Sequence, residues 1–296
     1  MTTTILLAGA TGNLGGRISA ALLSKGAQVR ALVRPGTGDD KLKPLRQPGV
    51  TLVEADLSDV PRLTEACAGT TCVVSALQGL HNVLVDAQRN LLDAAVAAGV
   101  PRFIPSDFSS DFTKLPAGEN RNFDLRRTFK TYLDAAPIRA TSILNGAFAD
   151  LLRYDMPLLN FQKKQVGFWD DPNWRLDFTT MDDTAAYTAE VALDPATPRL
   201  LRIASFQISP SELASIAGQQ DDSPFEVISL GSRADLADKN RRDRAADPAG
   251  EQQLYPRWQQ GQYMHSMFSV QNDPLDNGRY PNLIWTPPQT VLGLRR

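Results

Sequence analysis

Residues 4–15 read Thr4-Ile5-Leu6-Leu7-Ala8-Gly9-Ala10-Thr11-Gly12-Asn13-Leu14-Gly15, a short apolar run followed by glycines spaced G-x-x-G-x-x-G. The run Thr4 to Ala8 predicts a buried strand. Gly9 then permits a tight turn, Gly12 lets backbone amides approach a pyrophosphate, and Gly15 lets the next helix pack on the sheet. That helix, Asn13 to Lys25 and ended by Gly26, would turn free N–H groups and a partial positive charge toward a phosphate. Glycine spacing alone is weak, because a ligand-free turn can show it. Here strand, loop, helix and a second strand (Gln28 to Val33) follow one another at the distances a dinucleotide site requires.

The end of that second strand selects the cofactor. An NAD site usually offers an acid to the ribose 2′-hydroxyl roughly 20 residues beyond the glycines. This chain offers Val33-Arg34-Pro35-Gly36, with no acid before Asp39. Arg34 can clamp a 2′-phosphate bidentately, with Lys41 or Lys43 adding charge. The expectation is NADP(H).

Outward from the loop, β-branched runs alternate with helical patterns, the mark of a parallel sheet covered by helices. Val50 to Glu54 and Cys72 to Ser75 read as the third and fourth strands. Asn82 to Ala98 reads as a helix with Leu84, Leu91, Leu92, Ala95 and Val96 on one face and Gly99 as its cap. Arg102 to Pro105 is a fifth strand, Phe123 to Leu133 a helix, and Ala140 to Leu144 a sixth strand. The fold class expected is α/β: a Rossmann-type doubly wound parallel sheet over residues 1–150, with a smaller α/β substrate region, residues 151–296, interleaved with it. In the second part Asp183 would cap a helix to Leu193, Leu200 to Ala204 and Phe225 to Leu230 would be strands, and Ser209-Pro210 would start a helix.

The 296 residues are 42% hydrophobic and 22% charged, the balance of a globular protein with a sizeable core. A net charge of −2 provides no global field for nucleic acid or anionic lipid. The run Lys239 to Arg244 reads as a solvated helix face. Cys67 and Cys72 fit no disulfide framework and, with only His81 and His265 to assist, no zinc pattern; reduced structural thiols and a cytoplasmic location are expected, with no metal. The first apolar run is too short for a signal peptide, and no stretch reaches membrane-spanning length.

GATGNLGGRI from Gly9, Arg34 after the second strand, and AAVAAGVPRFIPSDF from Ala94 to Phe108 together resemble the NmrA-like branch of atypical short-chain dehydrogenases, which includes plant isoflavone and phenylcoumaran benzylic ether reductases and NADP-sensing regulators. The resemblance is good through Asn145-Gly146-Ala147-Phe148 and loose beyond. It implies that Gly9, Thr11, Gly12, Asn13, Leu14, Gly15 and Arg34 hold the cofactor, that Ser75, Ala76, Leu77 and Gln78 flank its ribose and nicotinamide, and that Ser106, Asp107 and Phe108 line a cleft with Asn145 and Phe148. No tyrosine has a lysine four residues on, so the usual short-chain dyad is absent. The lysine that serves the plant reductases as general acid/base matches Arg126 in Phe123-Asp124-Leu125-Arg126-Arg127-Thr128-Phe129. Arginine stays protonated, so it can polarise a carbonyl but donates protons poorly; the plain alternative is a snorkelling surface arginine. Asn145 is the second candidate to polarise the acceptor.

His81, Trp169, Trp174 and the paired acids (Asp39-Asp40, Asp170-Asp171, Asp182-Asp183, Asp221-Asp222) are read first as loop, packing and capping residues. Two functions stay open: an NAD(P)H-dependent reductase of a small aromatic, quinone or carbonyl-like substrate, and a non-enzymatic NADP(H)-sensing regulator with a protein partner.

Overall fold

The structure, a computed structural model, describes residues 3–293. It comprises two compact units that interleave along the chain. The first holds Met1–Phe108, Leu125–Ile143 and Thr184–Leu201; the second holds Ser109–Asp124, Leu144–Asp183 and Arg202–Arg296. Residues 109–124 thus leave the first unit for the second, and residues 184–201 return to the first.

In the first unit the chain runs β1 (Thr4–Ala8), α1 (Asn13–Ser24), β2 (Gln28–Val33), a short α2 (Asp39–Leu42), β3 (Val50–Glu54), α3 (Val60–Cys67), β4 (Cys72–Ser75), a π-helical turn (Asn82–Ala87) running into α4 (Gln88–Ala97), and β5 (Arg102–Ile104). Helix α5 (Arg121–Ala135) and β6 (Arg139–Ala140) follow. The six strands form one sheet in the order β3-β2-β1-β4-β5-β6, every pair parallel. Such a sheet is covered on both faces, which is why Ile5 to Ala8 and Cys72 to Ser75 are continuous buried runs without alternation. Its core packs Leu6, Leu63, Val73, Leu91, Phe103 and Phe129.

The sixth strand is shorter than the expected Ala140 to Leu144. Thr141 breaks it: its amide still bonds Phe103 O, while its hydroxyl turns to Pro198 O at 2.8 Å. The next segment, β7 (Ser142–Leu144), pairs with a later strand, Leu200–Arg202, in a separate ribbon.

The second unit contains β8 (Ala147–Phe148), β9 (Leu159–Asn160), β10 (Gln165–Phe168), β11 (Leu176–Thr179), the start of α6 (Met181–Leu193), the end of β12 (Leu200–Arg202), β13 (Phe206–Ile208), α7 (Pro210–Gln220), β14 (Glu226–Ser229), α8 (Arg233–Ala246), α9 (Arg257–Met267) and α10 (Pro288–Gly293). Two three-stranded sheets, β14-β10-β9 and β13-β11-β8, enclose a core of Trp169, Phe178, Leu213, Met264 and Phe268. Trp169 meets Phe268 edge-on at 5.3 Å, and Trp174 Nε1 donates to Met267 O at 3.1 Å, so both tryptophans serve packing. Helix α6 begins before Asp183, because Thr180 Oγ1 caps it by accepting Asp183 N at 3.0 Å. Asp183 instead accepts Ser205 Oγ at 2.5 Å and Thr286 N at 2.9 Å. The basic run lies on α8, where Lys239 pairs with Asp243 and Arg241 with Asp238 on a solvated face.

Ser209 and Glu212 form a reciprocal capping box on α7, with Glu212 N donating to Ser209 Oγ at 3.2 Å and Ser209 N to Glu212 Oε2 at 2.8 Å. The Ser209 backbone bond, aided by Arg175, holds Glu212 below the usual carboxylate range. Its contribution is therefore present above the ordinary glutamate range and lost as pH falls through the lowered value. Ser209→Ala should lower stability by about 1 kcal/mol in urea titration, while Glu212→Gln, which removes the carboxylate, should cost stability at neutral pH by a margin that shrinks on acidification. Cys67 and Cys72 are fully buried, and burial pushes their thiols up to about 11 and about 12. At pH 8 neither should react with iodoacetamide in native protein, and both should react after unfolding, as read by mass spectrometry.

Candidate active site

The glycine loop closes on itself and on the neighbouring loop. Gly12 N donates to Gly9 O at 2.9 Å, and Gly9 has φ +85. A Cβ on Gly9 would collide with the Ala76 carbonyl, and one on Gly15 would fall on the Gly9 carbonyl. The cap of α1 is Gly12, extended and without a side-chain hydrogen bond, so no residue of its own covers the helix N-terminus. Thr11, Gly12 and Asn13 are exposed, Leu14 is half-buried and Gly15 is buried. At the end of β4, Ala76 N continues the ladder to Ala8 O, while the buried Ser75 hydroxyl has no hydrogen-bond partner. Leu77 is half-buried and Gln78 exposed.

Arg34 is exposed at the end of β2, where its carbonyl accepts Thr37 N and Oγ1 at 3.1 and 2.6 Å. The next acid, Asp39, is engaged by Arg46 at 2.6 Å. Asp56, beyond β3, accepts the Ser58 hydroxyl and amide, and those bonds hold it below the usual carboxylate range, with the Arg34 charge contributing. A cradle that any Cβ would fill, a helix terminus without its own cap, an orphaned buried hydroxyl and a cation in place of an acid fit a 2′-phosphorylated dinucleotide.

The loop after β5 is tied inward. Ser106 Oγ donates to Leu77 O at 2.6 Å, and Ser106 N donates to Gln88 Oε1 at 2.8 Å. Phe108 is buried. Asp107 is fully buried and accepts Ser142 Oγ at 2.6 Å. Ser142 Oγ in turn accepts Arg199 Nη1 at 2.7 Å, and Arg199 Nε reaches Asp134 Oδ1 at 2.8 Å. Lys130 pairs with Asp134 one helical turn away. Burial pushes the Asp107 carboxyl up, opposed by the Ser142 bond and by the charges of Arg126, Arg199 and Lys130. Asp107 therefore faces the interior of its unit, and of the three cations that oppose its burial the largest contribution comes from Arg126 on α5, itself half-buried.

The first unit thus gathers the glycine loop, Arg34, Ser75 to Gln78, Ser106 to Phe108 and Arg126. Asn145 and Phe148 belong to the second unit. There Asn145 is buried with its carbonyl accepting Thr179 Oγ1 at 2.6 Å, and Phe148 is half-buried on β8 beside Thr179. His81 is exposed, 3.2 Å from Asp86. Among the described residues no cluster of three or more His, Cys, Asp or Glu could hold a metal, and no helix is long and apolar enough to cross a membrane. Sequence reasoning missed Gln88, Ser142 and Arg199. Gln88 had left a signal: it precedes Leu91 and Leu92 by three and four residues, a polar side chain on an apolar helix face.

The sequence pattern of the NmrA-like family matches residues 1–230. The chain belongs to the NmrA-like family. The match extends well past Phe148, beyond the segment that carries the good resemblance. Pinoresinol reductase 1 of Arabidopsis thaliana is 34% identical over 212 residues, and the chain spans 66% of that protein with 66% of its own length. A bifunctional pinoresinol-lariciresinol reductase of Linum perenne is 29% identical over a 304-residue alignment covering 95% of each chain. Among solved structures, AtPrR2 with NADP+ and (+)pinoresinol superposes with a TM-score of 0.80 at 26% identity, covering 100% of this chain and 99% of that one. The NADPH-dependent quinone oxidoreductase QOR2 of Escherichia coli shares the fold, with a TM-score of 0.75 at 20% identity over 97% and 98% of the two chains.

The isolated Arg34 carries a direct expectation. NADPH should bind at least about tenfold more tightly than NADH, and Arg34→Ala should remove most of that margin in a fluorescence titration. Equal affinities in the unmodified protein would defeat it.

Proposed function

We propose that this NmrA-like protein is an NADPH-dependent reductase that transfers hydride to a small aromatic, quinone or carbonyl-like substrate. The observation that carries it is the uncapped N-terminus of α1 behind its glycine cradle, with Arg34 in the place of an acid at the end of β2. The pinoresinol reductases among its relatives support an aromatic substrate. The first unit is the NADP-binding domain, its nucleotide loops lying within residues 1–150, and the second, mostly within 151–296, shapes the substrate side.

Bound NADPH supplies the hydride; the chain supplies grip, orientation and charge. Gly9, Thr11, Gly12, Asn13, Leu14 and Gly15 take the pyrophosphate, Arg34 the 2′-phosphate, and Ser75, Ala76, Leu77 and Gln78 the other half of the cofactor. Ser106, Asp107, Phe108 and Phe148 define the substrate surroundings, Ser106 and Asp107 through the hydrogen bonds that fix their loop. Arg126 in the first unit and Asn145 in the second are the two candidates to stabilise the developing negative charge on the acceptor. An arginine keeps its proton at any pH the fold survives, so Arg126 stabilises an oxyanion and the proton comes from water. Acceptors that are already electrophilic suit this arrangement, whereas a phenolic ether that must first lose a proton finds no base in Arg126. Two buried reduced thiols favour a cytoplasmic setting.

NADPH oxidation against pinoresinol, quinones, enones and aromatic aldehydes tests the proposal. Turnover is expected with at least one class, with Arg126→Ala lowering kcat about 100-fold. Arg126→Lys should add a falling alkaline limb to the pH–rate profile that the unmodified protein lacks. Tight NADPH binding without turnover on any class would instead mark an NADP(H)-sensing regulator.

A further inference from the structure

The π-helical turn Asn82–Ala87 shifts the hydrogen-bond register where the chain leaves β4. Because of that shift the Gln88 backbone amide reaches Val83 O and Val85 O rather than Leu84 O. The Gln88 side chain serves the bypassed carbonyl, its Nε2 donating to Leu84 O at 2.9 Å. Its Oε1 simultaneously accepts Ser106 N at 2.8 Å, and the Ser106 hydroxyl donates to Leu77 O at 2.6 Å. One buried amide, 1% exposed, therefore fastens the turn after β4 to the loop after β5, and that loop to Leu77. The Leu77 segment presses in turn on the glycine loop, since a Cβ on Gly9 would lie 3.3 Å from Leu77 N.

In the strand order β3-β2-β1-β4-β5-β6, Arg34 marks the β2 side of β1 as the adenosine side. The β4 and β5 loops lie across β1 from it, on the side left to the nicotinamide. We propose that Gln88 is a positioning residue for the nicotinamide half of the cofactor. It sets the spacing of the Leu77 and Ser106 loops without touching the cofactor itself. This rests on the reading that NADP(H) binds in the first unit. Gln88→Met keeps the length and removes both hydrogen bonds, one of which leaves Ser106 N in a buried loop.

The test separates the two halves of the cofactor. Adenosine 2′,5′-bisphosphate, which lacks the nicotinamide, is titrated by calorimetry, and NADPH by the fluorescence gain of its ring on binding. In Gln88→Met the bisphosphate Kd should stay within about twofold, while the NADPH Kd rises about tenfold and the fluorescence gain falls by at least about half. Ser106→Ala, which removes only the hydroxyl to Leu77 O, should shift the same two NADPH readouts in the same direction and carries the test if Gln88→Met does not fold. Unchanged NADPH readouts, or bisphosphate affinity lost in parallel with NADPH affinity, would overturn the positioning role. If the unmodified protein binds neither ligand, the NADP(H) reading itself falls; if it binds the bisphosphate and NADPH but the variants behave as the unmodified protein does, only the role of Gln88 falls.

Discussion

The Gly9 carbonyl occupies the space that any side chain on residue 15 would need. From this exclusion the layout of the first unit follows. Because nothing stands between loop and helix, α1 begins hard against the end of β1. Its first turn lacks a side-chain cap, and the Ala76 segment can close on Gly9 from the β4 side. Backbone, not side chain, thereby forms the floor on which an anion can rest. Such a floor cannot be tuned by substitution; it can only be kept or lost. Selectivity is left to the rim, where Arg34 stands exposed and Asp39 is engaged with Arg46.

The loop after β5 shows a different economy. Asp107 lies wholly out of water, yet a line of polar groups runs from it through Ser142 and Arg199 to Asp134 and Lys130 near the surface. Three cations oppose what burial does to its carboxyl, and Arg126 is one of them. An arginine at this point is an electrostatic counterweight to that buried carboxyl. A lysine would offer a proton that can leave, but a single compact charge in place of a delocalised one.

Where the sequence was readable, one local force dominated. The strands Thr4–Ala8 and Cys72–Ser75 stand where the apolar runs put them, because burial on both faces leaves no competing signal, and Gln28–Val33 and Val50–Glu54 extend the same sheet toward its edge. Boundaries slipped where two local signals competed. Thr180 and Asp183 both suit a helix start, and the threonine caps while the acid binds Ser205 and Thr286. The sixth strand split at Thr141, where a tertiary bond to Pro198 O outweighed a continuous β-branched pattern. Ser142 and Arg199 were invisible for a deeper reason: the partners that link them to Asp107 lie 35 and 57 residues away and acquire meaning only when the sheet is assembled. Asp107 belongs with them, since a sequence motif gives the residue but not the direction in which it points.

The return of residues 184–201 to the first unit bears on how the chain is made. Arg102, buried in β5, gives its guanidinium to the carbonyls of Ala192 and Val191 and to the Thr197 hydroxyl, 90, 89 and 95 residues further on. During synthesis the nucleotide-binding half emerges from the ribosome long before those acceptors exist. Until they arrive, an internal strand of the sheet carries a cation that water, not protein, must solvate. Burial of β5 thus waits on the far end of α6, and the nascent chain spends that interval with its sheet incomplete. A stop codon between residues 150 and 190 would leave the N-terminal half without the acceptors its fifth strand needs, however well its glycine loop were formed.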